Sequence, residues 1–554
     1  MLSLYHSGFV PLVCGLLTAQ VVAQDRWCGK VYTAGSPEVI PGGNIGPPQI
    51  SSTPLLDLRI SPRYSIYVES EKAAEFVVDA SISYIHGTPY TPNAYDNASH
   101  DTAGFSIQTE GITIASGNVA VNTTGSLVEF DLAQLTPRLT AYQVNLSATA
   151  GNSSYSASTE LFYLPEKTTG SVVKVDNLYG SLLYRNAFTD GLFEPVLPYG
   201  FYADYSGYLN VSDANIKAYA DKGFTAINPV AAFTDGDLTP TINKMDELNL
   251  LFQYDMRGSF MNLTSVAEQV PLVKDHPSLL TWYTADEPDG WVYALNSTIQ
   301  TYDLLSSLDK YHPVALVLNC QNYFFEEYSA GADIIMEDAY PVGINATYSR
   351  RWDTPCNTTY GDCGCDNCVG SLLDVPDRVD DFHDYQQWIG GAATRKPIWA
   401  VPQSFSGEEY WARDPTPEEV WVMDILAFNH GAKGRLAWLY PPTNLLAAAA
   451  SQLAQVVTVA PVLKFLTGAN PILLQDGKSG GLDVAYWSLG EEVLIGVTNP
   501  NNASASSREI TLPSEIHTSQ IVSTPWGNIT WTLSGSTISA NDGLPGLSTS
   551  FVIL

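Results

Sequence analysis

A chain of 554 residues, 45% hydrophobic and only 15% charged, is long enough for two or three domains and too apolar to remain disordered. Its 58 acidic residues against 26 basic ones give a formal charge of -32. Such a charge repels phosphate backbones and anionic lipid surfaces, which excludes nucleic acid as a partner.

The first predicted element is a secretory signal over residues 1–24. It has an apolar stretch from Gly8 to Leu17, then small residues suited to cleavage near Ala23 or Gln24, although the usual Lys or Arg is missing. No later apolar run is long enough to span a bilayer, and Ser550 to Leu554 is too short for a lipid-anchor signal, so free secretion without a membrane anchor is expected. Asn-x-Ser/Thr sequons at Asn97, Asn122, Asn145, Asn152, Asn210, Asn262, Asn296, Asn345, Asn357, Asn502 and Asn528 agree with that route. Without Cys14, which leaves with the signal, Cys28, Cys320, Cys356, Cys363, Cys365 and Cys368 form an even set. Three disulfides are preferred to a zinc site in the 356–368 cluster because the compartment is oxidising and the cluster contains no His. Their connectivity stays open, and nothing sets an oligomeric state.

Residues 25–175 are rich in Thr, Ser and Gly, with alternating stretches such as Leu127-Val128-Glu129-Phe130-Asp131-Leu132, and predict a β-sandwich. From Asp176 to Gly468, short apolar strands alternate with helical patterns. The strand candidates are Pro198 to Tyr202, Ala226 to Val230, Leu250 to Tyr254, Leu279 to Ala285, Val314 to Asn319, Ile334 to Ala339, Pro397 to Val401 and Arg435 to Leu439. Helices are predicted at Asp213 to Ala220, Ser265 to Lys274, Trp291 to Leu308, Arg378 to Ile389, Pro417 to Asn429 and Leu445 to Leu466, the fifth starting on a Thr416 to Glu419 capping box. Eight βα units in roughly 270 residues predict an α/β fold with a closed (β/α)8 TIM barrel. Residues 469–554 return to alternation and predict a C-terminal β domain.

Barrel chemistry gathers at the C-terminal ends of the strands. The polar residues there are Tyr202 and Asp204, Asn228, Asp255 and Arg257, Asp286 and Glu287, Glu337, Asp338 and Tyr340, and Gln403. Thr281-Trp282-Tyr283-Thr284-Ala285-Asp286-Glu287-Pro288 resembles the fourth strand of clan-A (β/α)8 glycoside hydrolases, and a fungal source fits that resemblance. The resemblance implies that Glu287 is the acid/base and that the partner is a polysaccharide or glycan. It departs at Asp286, where the family commonly has Asn, and on strand seven, where Gln403 stands at the family's nucleophilic Glu. A glycosidase uses two carboxyl groups. Asp338 is the first choice for the second because alternation puts it on the face of Tyr340; Glu337 would take its place if a bulge shifts the register, and Glu408 and Glu409 come after them. Tyr202, Asp255, Trp282, Asp286, Tyr340, Gln403 and Trp438 are expected to bind substrate, with Tyr440 a further aromatic candidate. His430 reads as structural, and neither a metal nor an organic cofactor is expected. The competing expectation is a carbohydrate-binding or cell-wall protein that kept the barrel without the catalysis.

Overall fold

The computed structural model describes residues 25–91, 101–391 and 395–554. The expected signal segment and the Asn97 sequon lie outside them. The centre is a closed barrel of eight parallel strands. They are β1 (Tyr199–Asp204), β2 (Ala226–Val230), β3 (Leu251–Asp255), β4 (Leu279–Asp286), β5 (Val314–Leu318), β6 (Ile334–Glu337), β7 (Ile398–Ala400) and β8 (Arg435–Tyr440). The helices of the outer ring are α1 (Asp213–Ala220), α2 (Thr239–Leu248), α3 (Leu263–Val273), α4 (Ser297–Leu308), α5 (Phe325–Ser329), α6 (Asp374–Ile389), α7 (Pro417–Asn429) and α8 (Asn444–Val457).

The strands are buried on both faces, and their side chains divide between two cores. Phe201, Ile227, Phe252, Leu316 and Ile335 face the helices. Tyr202, Leu251, Tyr283, Val317, Met336 and Trp399 fill the barrel. Val173, Val175 and Leu182, from a short antiparallel sheet preceding β1, extend that interior core and plug its floor.

Two helices, α2 and α5, escape the sequence reading, and the predicted helix Trp291 to Leu308 begins only at Ser297. The predicted Leu445 to Leu466 helix is two helices, α8 and α9 (Val462–Gly468), bent by 78°. Pro461 lies at the break, where its missing N–H and its ring interrupt the hydrogen-bond ladder. Among the described residues no single helix is long and apolar enough to cross a membrane.

Two four-stranded antiparallel sheets between Leu55 and Leu161 enclose their own core as a sandwich. The residues before it do not belong to that core. A hairpin of Arg26–Trp27 and Lys30–Val31 lies instead on the barrel mouth, tied by the Cys28–Cys320 disulfide to the segment after β5. The remaining bridges, Cys356–Cys363 and Cys365–Cys368, lie inside the long connection between β6 and α6. The Cys28–Cys320 crosslink spans 292 residues. Replacing both cysteines by Ser is expected to cost about 5 kcal/mol through loop-closure entropy, with early proteolytic loss of the hairpin as the readout.

After α9 a five-stranded and a three-stranded antiparallel sheet form the C-terminal domain. His430, at the end of α7, is clamped between Asp380 of α6 and Asp483 of this domain, each at 2.8 Å. Burial pushes its pKa down, but the two carboxylates outweigh burial and hold it up at about 9, the signature of a structural tie.

Candidate active site

The sequence Leu279-Leu280-Thr281-Trp282-Tyr283-Thr284-Ala285-Asp286 forms β4 as a strand buried on both faces up to its last residue. Its register slips against β3 between Leu279 and Thr281, and against β5 between Tyr283 and Asp286. These irregularities decide which side chains reach the mouth. Trp282 points into the helix shell, where its indole N–H donates to Asp309 at 3.0 Å and its ring meets Tyr254 edge-on. The expectation that it stacks on a sugar is therefore wrong. Tyr283 faces inward instead, and its hydroxyl donates to Asp286 at 2.6 Å. Glu287 comes next at φ 50°, the left-handed region that costs a non-glycine residue energy and that recurs at functional sites.

Opposite it, the residues after β6 carry Asp338 and Tyr340 into the cleft. Glu337 and Ala339 turn the other way. Glu337 is buried, accepts from the Ala339 N–H at 3.0 Å and does not line the cleft, so it is no catalytic residue. Asp338 and Glu287 line the same cleft, close enough for each carboxyl to shift the other's pKa. Burial, and the nearby charges of Asp338 and Asp286, hold the Glu287 carboxyl well above its ordinary range. Burial also raises Asp338, but the neighbouring Glu287 carboxyl and the Asn319 amide at 3.1 Å favour its ionised form. The shifts divide the pair: the proton is favoured on Glu287, the candidate acid, and the charge on Asp338, the candidate base.

Beneath this pair Arg257 bridges Asp255 at 2.8 Å and Asp286 at 2.7 Å, under the rings of Tyr202, Tyr283 and Trp438. Asp255 is occupied by this bridge and by the Asn228 amide at 2.9 Å; it lies outside the cleft and binds no substrate. Asp286 lines the cleft with its carboxylate already oriented by Arg257 and Tyr283.

Gln403 is the clearest correction. It is wholly buried. Its side-chain oxygen accepts from the Val342 N–H at 2.8 Å, while its nitrogen donates to the carbonyls of Val342 and Phe405 at 3.0 Å each. It braces the loops after β6 and β7 and does not face a sugar. Glu408 lines the cleft, Glu409 a separate recess, and Tyr440 packs in the helix-facing core.

The cleft encloses about 390 Å³. Tyr202, Tyr340 and Trp438 line it at the barrel end; Trp27 and Tyr32 come from the N-terminal hairpin, Trp291 from the segment after β4, and Trp352 and Asp362 from the disulfide-bearing connection. Sequence reasoning missed these walls because they are loop residues brought together only by tertiary structure. It also missed Asn319, although the rule of polar residues at strand ends, applied to β5, finds it. Asp289 was missed as well: it is buried and accepts from the N–H groups of Gly290, Asn319 and Cys320, fixing the turn after β4 against the end of β5.

No family model matches the chain, and no curated protein matches it. Among solved structures, a family 39 glycoside hydrolase from the gut symbiont Bacteroides cellulosilyticus WH2 is 10% identical over 90% of this chain and 100% of that one, with a TM-score of 0.41. An FMN-binding β-glucuronidase from Faecalibacterium prausnitzii L2-6 is 10% identical over 90% and 70% of the two chains, with a TM-score of 0.35. A β-glucuronidase from an uncultured Clostridium species is 13% identical over 72% and 68%, with a TM-score of 0.34. At these identities and TM-scores the likeness assigns neither a substrate nor a residue to this chain.

Proposed function

We propose that the protein is an extracellular glycoside hydrolase, or a transglycosylase using the same site, that cleaves O-glycosyl bonds of a polysaccharide or glycoconjugate. The observation that carries this reading is that Glu287 and Asp338 line one cleft walled by aromatic rings, with burial raising both carboxyls. Glu287 protonates the departing glycosidic oxygen as Asp338 attacks the anomeric carbon. The C–O bond breaks, a glycosyl ester forms, and Glu287, now ionised, takes the proton of the water or alcohol that releases the sugar. Asp286, an acceptor, takes a hydrogen bond from a sugar hydroxyl, and the rings present C–H stacking faces.

Secretion rests on the N-terminal signal pattern, the disulfides and the sequons. Asn122, Asn145, Asn152, Asn210, Asn262, Asn296, Asn345, Asn357, Asn502 and Asn528 are all exposed, as glycan attachment requires.

The test is reducing-sugar release from a panel of plant and fungal polysaccharides. Activity is expected to follow a bell-shaped pH profile with both limbs above the ordinary carboxylate range of about 4, because Asp338 must be ionised and Glu287 protonated and both are raised. Asp338→Asn is expected to lower turnover by about 10³-fold or more through loss of the nucleophile. Polysaccharide binding with no release by the wild type at any pH would favour the carbohydrate-binding reading instead.

A further inference from the structure

The Asn319 amide lies between two groups of opposite demand. Its nitrogen donates to Asp338 at 3.1 Å, and its oxygen accepts from the indole N–H of Trp27 at 2.9 Å. An indole nitrogen only donates, so it fixes which end of the amide faces it. With the oxygen turned to Trp27, the NH2 group must face Asp338, and an NH2 group stabilises a carboxylate but cannot accept from a protonated carboxyl. The Asn319 backbone has little freedom to evade this choice: its N–H is held by Asp289 and its carbonyl by Arg378. Trp27 in turn is held beside it by the Cys28–Cys320 bridge, between residues adjacent to each.

We propose that Trp27 is a positioning residue: through the Asn319 amide it keeps the proton of the carboxyl pair on Glu287 and leaves Asp338 as the anion. The hairpin that carries it, far from the barrel in sequence, thereby sets the acid and base roles as well as walling the cleft. The inference rests on the proposed function, but its physical content does not require a substrate. The charged and titratable groups that face Asp338 are Glu287, Asp286 and Asp289 from β4 and the turn after it, Arg378 from α6, and Glu337 and Tyr340 beside it. None of them is altered by changing Trp27.

The experiment is a substrate-free infrared difference titration of the secreted protein, with the lower ionisation of the pair identified as the signal lost in Asp338→Asn. Trp27→Phe keeps an aromatic ring, though a smaller one, and removes the N–H, so the amide is free to turn its oxygen to Asp338; the lower ionisation is expected to rise by about one unit. Asn319→Leu is expected to raise it at least as far. Adding Trp27→Phe to Asn319→Leu is expected to add nothing, because Trp27 acts only through the amide. No shift in a folded Trp27→Phe or Asn319→Leu protein overturns the proposal, as does an equal Trp27 effect with and without the Asn319 amide. If Trp27→Phe fails to fold, absence of a shift in Asn319→Leu alone overturns it. An absence of sugar release by the wild type would count against the proposed function and leave this titration unaffected.

Discussion

Glu287→Gln is expected to lose turnover by about 10²–10⁴-fold and, at neutral pH, to unfold at a higher temperature than the wild type. The two effects have one cause. Glu287 is held protonated by burial and by the charges of Asp338 and Asp286. A carboxyl whose pKa is raised on folding binds more protons in the folded than in the unfolded state. Its favourable contribution is therefore present at low pH and is lost as pH climbs from the ordinary carboxylate range through the folded value. Gln carries no such dependence, and its amide, like the protonated carboxyl, is a hydrogen-bond donor. The measurement is the unfolding temperature of both proteins from about pH 4 to about pH 8, alongside sugar release. The variant's advantage is expected to grow with pH, reaching at least about 1 kcal/mol, or about 2–4 °C in a domain of this kind. An inactive variant that is less stable at neutral pH would show that Glu287 acts as a structural ion and not as a strained acid. Relief of strain by loss of the functional group is the trade expected where an active site keeps two carboxyls against their mutual repulsion.

The barrel was legible because parallel strands buried on both faces are written as short apolar runs, and every predicted strand overlaps an observed one. The mouth was legible only in part. Alternation put Asp338 and Tyr340 on one face, and the cleft contains both. On β4 the same rule fails, because the register slips reassign faces, and Trp282 goes to the helix shell while Tyr283 goes inward. No local pattern announces such a slip; it is imposed by the neighbouring strands. The hairpin of Arg26–Trp27 and Lys30–Val31 reads as the start of a sandwich because its composition is continuous with that of the sandwich strands, yet the crosslink to Cys320 takes it to the mouth of the barrel. Asp255, a strand-end carboxylate like Asp286, differs from it in being buried under Arg257 with no path to the cleft. Sequence can name the carboxylates that a mouth offers; which of them remain available is decided by the cations and amides that fold beneath it.

Gln403→Glu is expected to restore no catalytic carboxylate and to destabilise the protein by about 3–5 kcal/mol, the cost of an uncompensated buried charge. Simple reading of strand seven gives the opposite result, since it treats Gln403 as a nucleophile lost by a single change. The observed bonds decide the matter. One side-chain oxygen of Glu could keep accepting from the Val342 N–H, but the other would replace an NH2 group that donates to two carbonyl oxygens, those of Val342 and Phe405. An ionised oxygen there meets two acceptors with no proton between them. A protonated one satisfies a single carbonyl and leaves its neighbour unpaired in a site without exposure, a cost of about 1–3 kcal/mol on its own. The loops so loosened carry Tyr340, Phe405 and Trp411, whose rings pack edge to face beside the carboxyl pair, so activity is expected to fall together with stability. The comparison that checks this is thermal unfolding and sugar release of Gln403→Glu, alone and combined with Asp338→Asn. Recovery of turnover in the double variant would place the nucleophile on strand seven. With the Gln403 side chain engaged on backbone at both ends and Asp338 lining the cleft with Glu287, the expected result is a double variant as inactive as Asp338→Asn and less stable than it.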